Sequence, residues 1–434
     1  PRYTSYPTAP HFNMSVGAED MTRWLARVPN ESAVSLYIHI PFCRRLCWFC
    51  ACRTQGTRNI ETVRAYLEVL KAEISLLKER LPKDIRLSRL HWGGGTPTLL
   101  TPEMIFDLAE AQSQLGPLLP DGEFSVEIDP NEIDDARLDA LVEVGLTRAS
   151  IGVQDFNPEI QRQIGRVQSY ETTRDVVEAI RSRGIESLNA DILYGLPSQT
   201  PQRLSDSVQR LLSLTPDRVA LYGYAHVPWM SRRQSMIPSD LLPEPEERLR
   251  LFDTARRLFL WDGYHEIGID HFARPQDSLA LAAKNGSLRR NFQGYTDDET
   301  PILIGLGASA ISRFPWGYAQ NAAATRDYVT AISDGQFATA RGYQFCAEDL
   351  LRARLIEQIM CSFEIDIPAI RQDFGLGRDD LTPLLTEVSN QFPGAISLTD
   401  IRFAIRPEGR PLTRMIARAF DTFELSKSGH SAAI

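Results

Sequence analysis

The sequence lacks a long apolar run, a basic excess and an export signal. No stretch reaches the ~18 apolar residues that a membrane-spanning helix requires. The first residues, 1–8, are polar and contain no apolar core of the kind found in signal peptides. The 56 acidic side chains outnumber the 47 basic ones and leave a formal charge of −9. This balance disfavours general binding to nucleic acid or anionic membranes, and we expect a cytoplasmic protein without a membrane span.

Cysteine is scarce and unevenly distributed. The chain has 6 cysteines in 434 residues, too few for a disulfide-stapled scaffold. Four of them fall within ten residues, namely Cys43, Cys47, Cys50 and Cys52. The other two, Cys346 and Cys361, stand singly in helix-like stretches and are expected in the core. Clustered thiols without an export signal are typical of proteins from a reducing compartment.

The spacing Cys43-x3-Cys47-x2-Cys50 suits an inorganic core. Three thiolates around an iron–sulfur cube leave one iron open to a small molecule. The aromatic residues Trp48 and Phe49 would shield such a cluster from solvent. The alternative is structural zinc, but zinc sites usually draw their ligands from two separated pairs. Spacing alone leaves both possibilities open and favours the cluster, with Cys43, Cys47 and Cys50 as metal ligands.

Strand-like and helix-like segments alternate from about residue 33 to 260. Six apolar runs are the predicted strands: Ala33–Ile40, Arg86–Trp92, Glu123–Ile128, Arg148–Val153, Ser187–Tyr194 and Arg218–Tyr224. Two of the helices between them have clear starts, where Thr101 and Thr200 each precede a proline. The alternation predicts an α/β fold with a parallel sheet covered by helices. Six units are too few for a closed eight-unit barrel, so we expect an open, partial barrel.

Residues suited to ligand binding lie at or just after the end of each predicted strand. In chain order they are the cysteine loop, Gly93-Gly94-Gly95, Glu127, Gln154, the stretch from Asp191 to Pro197 and Ala225. The active sites of parallel barrels lie at the carboxyl ends of their strands. These loops therefore predict one deep site.

Composition and pattern also suggest three regions. We expect an N-terminal extension over residues 1–32, a catalytic domain over 33–345 and a smaller C-terminal domain over 346–434. The last region is mainly helical with a hairpin at about 395–405, in the manner of a winged helix. Because it lacks an obvious basic recognition helix, we expect a lid rather than a DNA-binding domain.

Several strings of residues resemble the radical S-adenosylmethionine (SAM) enzymes, and among them the oxygen-independent coproporphyrinogen III oxidase family. The strings include Tyr37-Ile-His39-Ile-Pro41-Phe-Cys43, His91-Trp-Gly-Gly-Gly95-Thr-Pro-Thr98, Gly152-Val-Gln-Asp-Phe156, Tyr194-Gly-Leu-Pro197 and Asp270-His-Phe-Ala273. The likeness runs almost from end to end. It departs at Ile269, where methionine is expected, and at Asn131, where arginine is common.

The resemblance implies a radical-SAM barrel that holds a [4Fe–4S] cluster on Cys43, Cys47 and Cys50, together with two SAM molecules. The implied contacts of the cluster-bound SAM are Tyr37, Phe49, Gly94, Glu127 and Ile311. Those of the second SAM are Gly95, Thr96, Gln154, Arg166, Asp191 and Ala225. The resemblance further implies that Tyr37 and Cys52 act in catalysis.

The implied activity is the anaerobic oxidative decarboxylation of two propionate side chains of coproporphyrinogen III to vinyl groups. A 5′-deoxyadenosyl radical would abstract hydrogen from each propionate, and the product would be protoporphyrinogen IX of heme biosynthesis. The implied partners are this substrate and a low-potential electron donor such as flavodoxin or ferredoxin, and we expect a monomer.

Three alternatives remain for the activity. One is a heme chaperone of the same superfamily, against which Cys52 and the opening Tyr3–Thr8 argue. The second is another radical SAM enzyme that acts on a tetrapyrrole. The third is an iron–sulfur electron carrier or a structural zinc protein, which would leave six ligand-like loops without a use.

Overall fold

The structure is a computed structural model and describes residues 3–423. Its helices are α1 Ala18–Leu25, α2 Ile60–Arg80, α3 Pro102–Ser113, α4 Asp135–Glu143, α5 Pro158–Gln163, α6 Tyr170–Ser182, α7 Pro201–Ser213, α8 Pro245–Trp261, α9 Ser278–Asn285, α10 Thr325–Ser333, α11 Ala347–Ser362, α12 Ile367–Phe374, α13 Arg378–Gln391 and α14 Thr413–Ala419. Its strands are β1 Ala33–Ile40, β2 Phe42–Cys43, β3 Gln55–Gly56, β4 Arg86–Gly94, β5 Leu118–Ile128, β6 Arg148–Gln154, β7 Ser187–Tyr194, β8 Arg218–Gly223, β9 His265–Ile267, β10 His271–Ala273, β11 Arg289–Asn291, β12 Gly294–Thr296, β13 Leu303–Leu306, β14 Ile311–Phe314, β15 Gly317–Asn321, β16 Thr339–Gln344, β17 Glu364–Asp366, β18 Ile396–Leu398 and β19 Arg402–Ile405.

The described residues form two compact units. The sheet unit comprises residues 13–262 and 300–344, and the C-terminal unit comprises 1–12, 263–299 and 345–434 as far as they are described. Residues 263–299 belong to the C-terminal unit because they pack there, as the Tyr295 hydroxyl shows by donating to the Met360 carbonyl at 2.6 Å. The division at residues 32 and 345 that the sequence suggests stays a prediction about domains.

Parallel strands dominate the sheet unit. Its strands follow the order β16-β15-β14-β13-β1-β4-β5-β6-β7-β8. Neighbouring strands from β1 and β4 through β8 are all parallel, and β1 also pairs in parallel with β13. Strands β14–β16 extend the other edge in antiparallel fashion. The predicted α/β fold, with six parallel strands each followed by helical chain, is confirmed.

Helix starts in this unit follow the local sequence rules. The Thr101 side chain accepts a hydrogen bond from the Met104 N–H at the start of α3, and the Thr200 side chain accepts one from Arg203 at the start of α7. Such caps typically contribute about 1 kcal/mol each. Strand β5 begins at Leu118 and not at the predicted Glu123, because Leu118 pairs with Leu87 of β4. These elements place the predicted loops at one end of the parallel strands.

The C-terminal unit has its own core. Helices α11–α14 surround the small antiparallel sheet β17-β19-β18. The N-terminal segment joins this core, since Tyr3 and Tyr6 are both buried in it. The Tyr3 hydroxyl donates to the Asp421 carboxylate at 2.8 Å, and the Tyr6 hydroxyl lies 3.1 Å from that of Thr422. Among residues 3–423, no helix is long and apolar enough to cross a membrane.

Candidate active site

A cleft of about 190 Å³ opens in the sheet unit, toward the carboxyl ends of β4, β5, β6 and β7. The predicted site residues that line it are Cys43, Cys47, Phe49, Cys50, Cys52, Gly94, Gly95, Thr96, Glu127, Gln154, Arg166 and Asp191. The structure thus brings most of the predicted residues together at one place.

The cysteine loop between β1 and α2 is held at both ends and in the middle. Strands β2 and β3 pair in parallel, with Phe42 opposite Gln55. The Thr57 N–H donates to the Cys43 carbonyl at 2.9 Å. The Trp48 N–H donates to the Ile164 carbonyl at 2.9 Å. These backbone contacts place the Cys43, Cys47 and Cys50 side chains on the wall of the cleft.

The three thiols have different electrostatic surroundings. Burial raises the pKa of Cys43 to about 11, although the Thr96 hydroxyl opposes the shift. Burial also raises the pKa of Cys47, against the nearby guanidinium of Arg166. Hydrogen bonding from the Cys52 side chain lowers the pKa of Cys50. Because metal ligation requires thiolates, binding of iron would release the protons that Cys43 and Cys47 hold.

The donor set suits an iron–sulfur cluster. Cys43, Cys47 and Cys50 all line the same cleft. In an iron–sulfur cube each thiolate binds a different iron, so three thiolates leave the fourth iron open to a small molecule.

Two glycines allow the backbone to line the cleft closely. Gly94 adopts a φ of +112°, and a Cβ built there would lie 2.5 Å from the His39 ring. A Cβ on Gly95 would lie 2.5 Å from the Phe42 carbonyl oxygen. Any other residue would force the β4 loop away from the cysteine loop. The glycines therefore let the two loops form one continuous wall.

Glu127 forms the polar centre of this wall. Its carboxylate accepts a hydrogen bond from the Gly94 N–H at 3.0 Å and lies 3.3 Å from Nε2 of His91. The other ring nitrogen of His91 lies 2.6 Å from the Ser125 hydroxyl. Enclosure by itself raises the pKa of Glu127, but His91 and the Gly94 N–H outweigh it and leave the pKa below its ordinary value. An ionised carboxylate therefore faces the cleft at neutral pH.

Tyr37 lies next to this carboxylate without lining the cleft. Its ring stacks on that of His91 at 5.7 Å between centroids, and its hydroxyl lies 2.9 Å from Nδ1 of His39. Burial raises the pKa of Tyr37, and the nearby Glu127 and Cys52 raise it further. Tyr37 therefore keeps its proton and supports the histidines around Glu127.

Arg166 connects the far wall of the cleft to the cysteine loop. Its Nη2 donates to the Asp129 carboxylate at 3.2 Å and to the carbonyl of Gly152 at 3.0 Å. Its Nη1 lies 3.6 Å from Sγ of Cys47. Its Nε is buried and has no hydrogen-bond partner within residues 3–423. One donor of this guanidinium thus remains for a ligand.

Three predicted contacts do not line the cleft. Besides Tyr37, these are Ala225, which follows β8, and Ile311, which begins β14. The Ala225 carbonyl accepts a hydrogen bond from Nε2 of Gln234 at 3.1 Å, and Ile311 pairs with Gln320 of β15. Their role as cofactor contacts stays a prediction.

Other lining residues were not predicted from the sequence. Asp129 follows Glu127 by two positions, and Ser150 and Gly152 precede Gln154 at the same interval. The two-residue period of β-strands places such residues on the same face and was the available signal. Arg45 also lines the cleft. Arg233 lines it as well and reaches the cysteine loop through the tertiary fold. The sequence suggests Arg233, together with Arg232, Arg289 and Arg290, as a candidate partner for the carboxylates of the substrate, and that role stays a prediction.

Known proteins resemble this chain along its full length. The sequence profile of the Radical SAM superfamily matches residues 37–211. The oxygen-independent coproporphyrinogen III oxidase of Paracoccus denitrificans is 62% identical over 434 residues, which cover 100% of this chain and 96% of the relative. That of Escherichia coli is 37% identical and covers 99% of this chain and 94% of the relative.

A solved structure agrees with these relatives. The coproporphyrinogen III oxidase of Escherichia coli, described as a radical SAM enzyme, superposes with a TM-score of 0.93 at 36% identity. The match covers 97% of this chain and 97% of the other. The likeness therefore extends well beyond residues 37–211.

Proposed function

The chain belongs to the oxygen-independent coproporphyrinogen III oxidase family of radical SAM enzymes, and from this we propose how its cleft serves that activity. The reaction is the anaerobic oxidative decarboxylation of two propionate side chains of coproporphyrinogen III to vinyl groups, which gives protoporphyrinogen IX. The observation that carries the proposal is the convergence of three thiols, a close-packed glycine turn and an ionised glutamate on one cleft.

A [4Fe–4S] cluster and SAM are the cofactors of this class, and when bound they supply the one-electron chemistry that cleaves an unreactive carbon–hydrogen bond. Cys43, Cys47 and Cys50 would hold the cluster. The Gly94 backbone and the Glu127 carboxylate would bind the cationic amino group of a methionine moiety, since an ionised carboxylate attracts an ammonium group. Phe49 packs beside the hydrophobic cluster around Ile160, Ile164 and Tyr224 and would limit water access.

The far wall of the cleft is suited to a second SAM. The free Nε of Arg166 can donate to a carboxylate. Asp191 can accept from ribose hydroxyls, and Gln154 lines the same wall. Gly95 and Thr96 would contact this molecule from the cysteine side, where Thr96 already lies beside Cys43. Residues of this chain thus offer binding groups for two molecules of the same cofactor.

Three further features belong to this proposal. Clustered thiols support a cytoplasmic location, and we propose that the protein is a monomer. The one-electron chemistry requires a low-potential donor such as flavodoxin or ferredoxin. Residues 346–434 would act as a lid that limits water access during turnover.

Anaerobic turnover tests the proposal. The full chain, reconstituted with iron and sulfide, is mixed with SAM, a reductant and coproporphyrinogen III, and both vinyl product and 5′-deoxyadenosine are measured. We expect both to accumulate, and the matched variant Cys43→Ala to form neither. Deoxyadenosine without vinyl product would contradict the substrate assignment. Tight heme binding with neither product would instead support the heme chaperone.

A further inference from the structure

Two segments of this acidic chain carry six arginines and no acidic residue. Asp and Glu account for 56 of 434 residues, yet neither occurs in 41–60 or in 225–239. The first segment, which includes the cysteine loop, carries Arg44, Arg45, Arg53 and Arg58, and the second carries Arg232 and Arg233. The sequence therefore concentrates positive charge at the cysteines against an overall charge of −9.

Hydrogen bonds join the two segments into one surface. The Ser231 hydroxyl donates to the Cys50 carbonyl at 3.1 Å, and Nε2 of Gln234 donates to the Phe49 carbonyl at 2.8 Å. Nη2 of Arg233 donates to the Cys52 carbonyl at 3.1 Å. We call Arg45, Arg53, Arg58, Arg232 and Arg233 together the basic surface.

The positive charge of the basic surface is not neutralised. Arg44 pairs with Glu132 at 2.7 Å, but none of the five basic-surface arginines forms an ion pair within residues 3–423. Elsewhere arginines are often doubly paired, as Arg183 is with Asp135 and Asp139. Unpaired like charges on one surface raise the local potential and attract an anionic partner.

Large exposed apolar side chains lie in the second segment. The exposed fractions are 66% for Trp229, 61% for Met230 and 58% for Met236. Tryptophan, methionine and arginine are the residue types enriched at protein–protein interfaces, and tryptophan and arginine often carry most of the binding energy. A protein partner would bury these side chains on binding.

The position of the basic surface suits electron transfer. Its first segment contains Cys43, Cys47 and Cys50, and Cys52 at its rim is exposed. Electron transfer between proteins requires close approach, because its rate falls steeply with the distance between the redox centres. A protein bound here would contact the loop that carries these cysteines.

We propose that the basic surface, together with Trp229, Met230 and Met236, docks a small acidic electron-transfer protein with a low-potential centre. The reduced donor would give up one electron to the oxidised cluster that Cys43, Cys47 and Cys50 would hold. This inference rests on the proposed cluster and assigns the surface where the donor of its electrons binds. The competing occupant is the carboxylate-rich substrate, because Arg45 and Arg233 also line the cleft. The three arginines outside the cleft lining, Arg53, Arg58 and Arg232, favour the protein.

Charge reversal away from the cleft lining provides the test. The test variant is Arg53→Glu/Arg58→Glu, and the control is Arg80→Glu/Arg326→Glu, which changes the charge equally. Arg80 ends the 21-residue α2, roughly 30 Å along the helix axis from the cysteine loop. Arg326 lies in the first turn of α10 and is exposed.

Stopped-flow absorbance would measure the second-order rate constant for cluster reduction by reduced flavodoxin, with photoreduced deazariboflavin as a small reductant for comparison. At low salt we expect the test variant to react about tenfold or more slowly with flavodoxin, and the difference to shrink as salt screens the charges. Reduction by deazariboflavin and the control variant should match the wild type. Trp229→Ala should slow the flavodoxin reaction at high salt as well, because it removes apolar contact.

Each other outcome has a definite meaning. Equal flavodoxin rates in the wild type and in both the charge-reversal and Trp229→Ala variants would overturn the inference. The inference would also be overturned if the charge-reversal variant reacted with flavodoxin at the wild-type rate but showed a raised KM for coproporphyrinogen III with deazariboflavin as the reductant. The surface would then bind the substrate. Failure of the wild type to assemble a cluster would refute the proposed function itself, and the assay separates the two because it requires no turnover of coproporphyrinogen.

Discussion

Two polar networks flank the carboxyl end of β1, and each contains a glutamate and a tyrosine. In the cleft network, Glu127 lies 3.3 Å from His91 and accepts from Gly94. In the outer network, Glu73 of α2 accepts hydrogen bonds at 2.7 Å from the Gly307 N–H, the Asn321 amide and the Tyr328 hydroxyl. Only the first network faces a cleft, since Glu73 is 1% exposed.

The partners of the two glutamates decide their charge. Enclosure raises the pKa of both, but the imidazole of His91 and the Gly94 N–H bring that of Glu127 below its ordinary value. Glu73 has only neutral donors, which do not offset burial, and its pKa rises to about 7. An imidazole and a backbone N–H as partners, together with an open face, leave a carboxylate that can receive a cationic ligand. Neutral partners in a closed core leave a carboxylate whose role is structural.

The outer network nevertheless supports the cleft. The Tyr66 hydroxyl accepts from the Ala308 N–H at 2.9 Å and donates to the His39 carbonyl at 2.9 Å. Glu73 holds the neighbouring Gly307 N–H. The outer network therefore fixes the turn between β13 and β14 against the end of β1, behind the residues that surround Glu127.

The largest effect should follow removal of the cysteines that line the cleft. Cys43→Ala, Cys47→Ala and Cys50→Ala should each abolish the cluster, because a three-thiolate site loses one of its anchors. Iron and sulfide analysis of reconstituted protein would show about four of each per wild-type chain. The matched variant Cys52→Ser should retain the cluster and lose turnover. A full cluster in any of the first three variants would contradict the assignment.

Neutralising Glu127 tests whether the cleft network binds a cationic group. Glu127→Gln should weaken binding of cluster-associated SAM by about ten- to a hundredfold, or roughly 1.5–3 kcal/mol, the usual worth of a charge-assisted hydrogen bond. Equilibrium binding to the reconstituted protein measures this. Glu73→Gln is the matched substitution in the outer network, and a loss of affinity as large as that of Glu127→Gln would erase the proposed difference between the networks.

The far wall of the cleft should bind the second SAM independently. Arg166→Ala and Asp191→Ala should each lower its affinity by about ten- to a hundredfold while the cluster-bound molecule stays in place. A titration that resolves two sites in the wild type is the measurement. A single wild-type site would remove the basis of this prediction, and earlier loss of the cluster-bound molecule would mean that the two sites were assigned in reverse.

The smallest effect concerns the pH dependence of stability. The folded-state pKa of Glu73 lies at about 7, above the ordinary 4.5, so the folded protein binds the proton more tightly than the unfolded chain does. Its contribution to stability is present below about pH 4.5 and is lost as the pH rises to about 7. Urea unfolding at several pH values should show this loss in the wild type and a flatter dependence in Glu73→Gln. The exposed Glu79→Gln in the same helix should behave like the wild type.

Local signals in the sequence were sufficient for much of the site. The cysteine spacing, the three glycines and the alternation of strands and helices predicted both the parallel sheet and the wall formed by Cys43, Gly94 and Glu127. Asp129 and Ser150 escaped prediction although they share a strand face with predicted residues. The polar character of a strand end does not by itself say which side chains line a cleft.

The sequence by itself determined the succession of strands and helices along the chain, the cysteine loop and the capped helices, because periodicity, caps and turns depend on neighbouring residues. Only the tertiary structure decided that β13 pairs with β1, with Leu303 opposite Ser35. It also decided that Glu73 meets Tyr328 and Asn321, and that Arg233 reaches the Cys52 carbonyl. These pairs are far apart in the chain, and burial and hydrogen bonding between distant segments leave no local pattern from which to predict them.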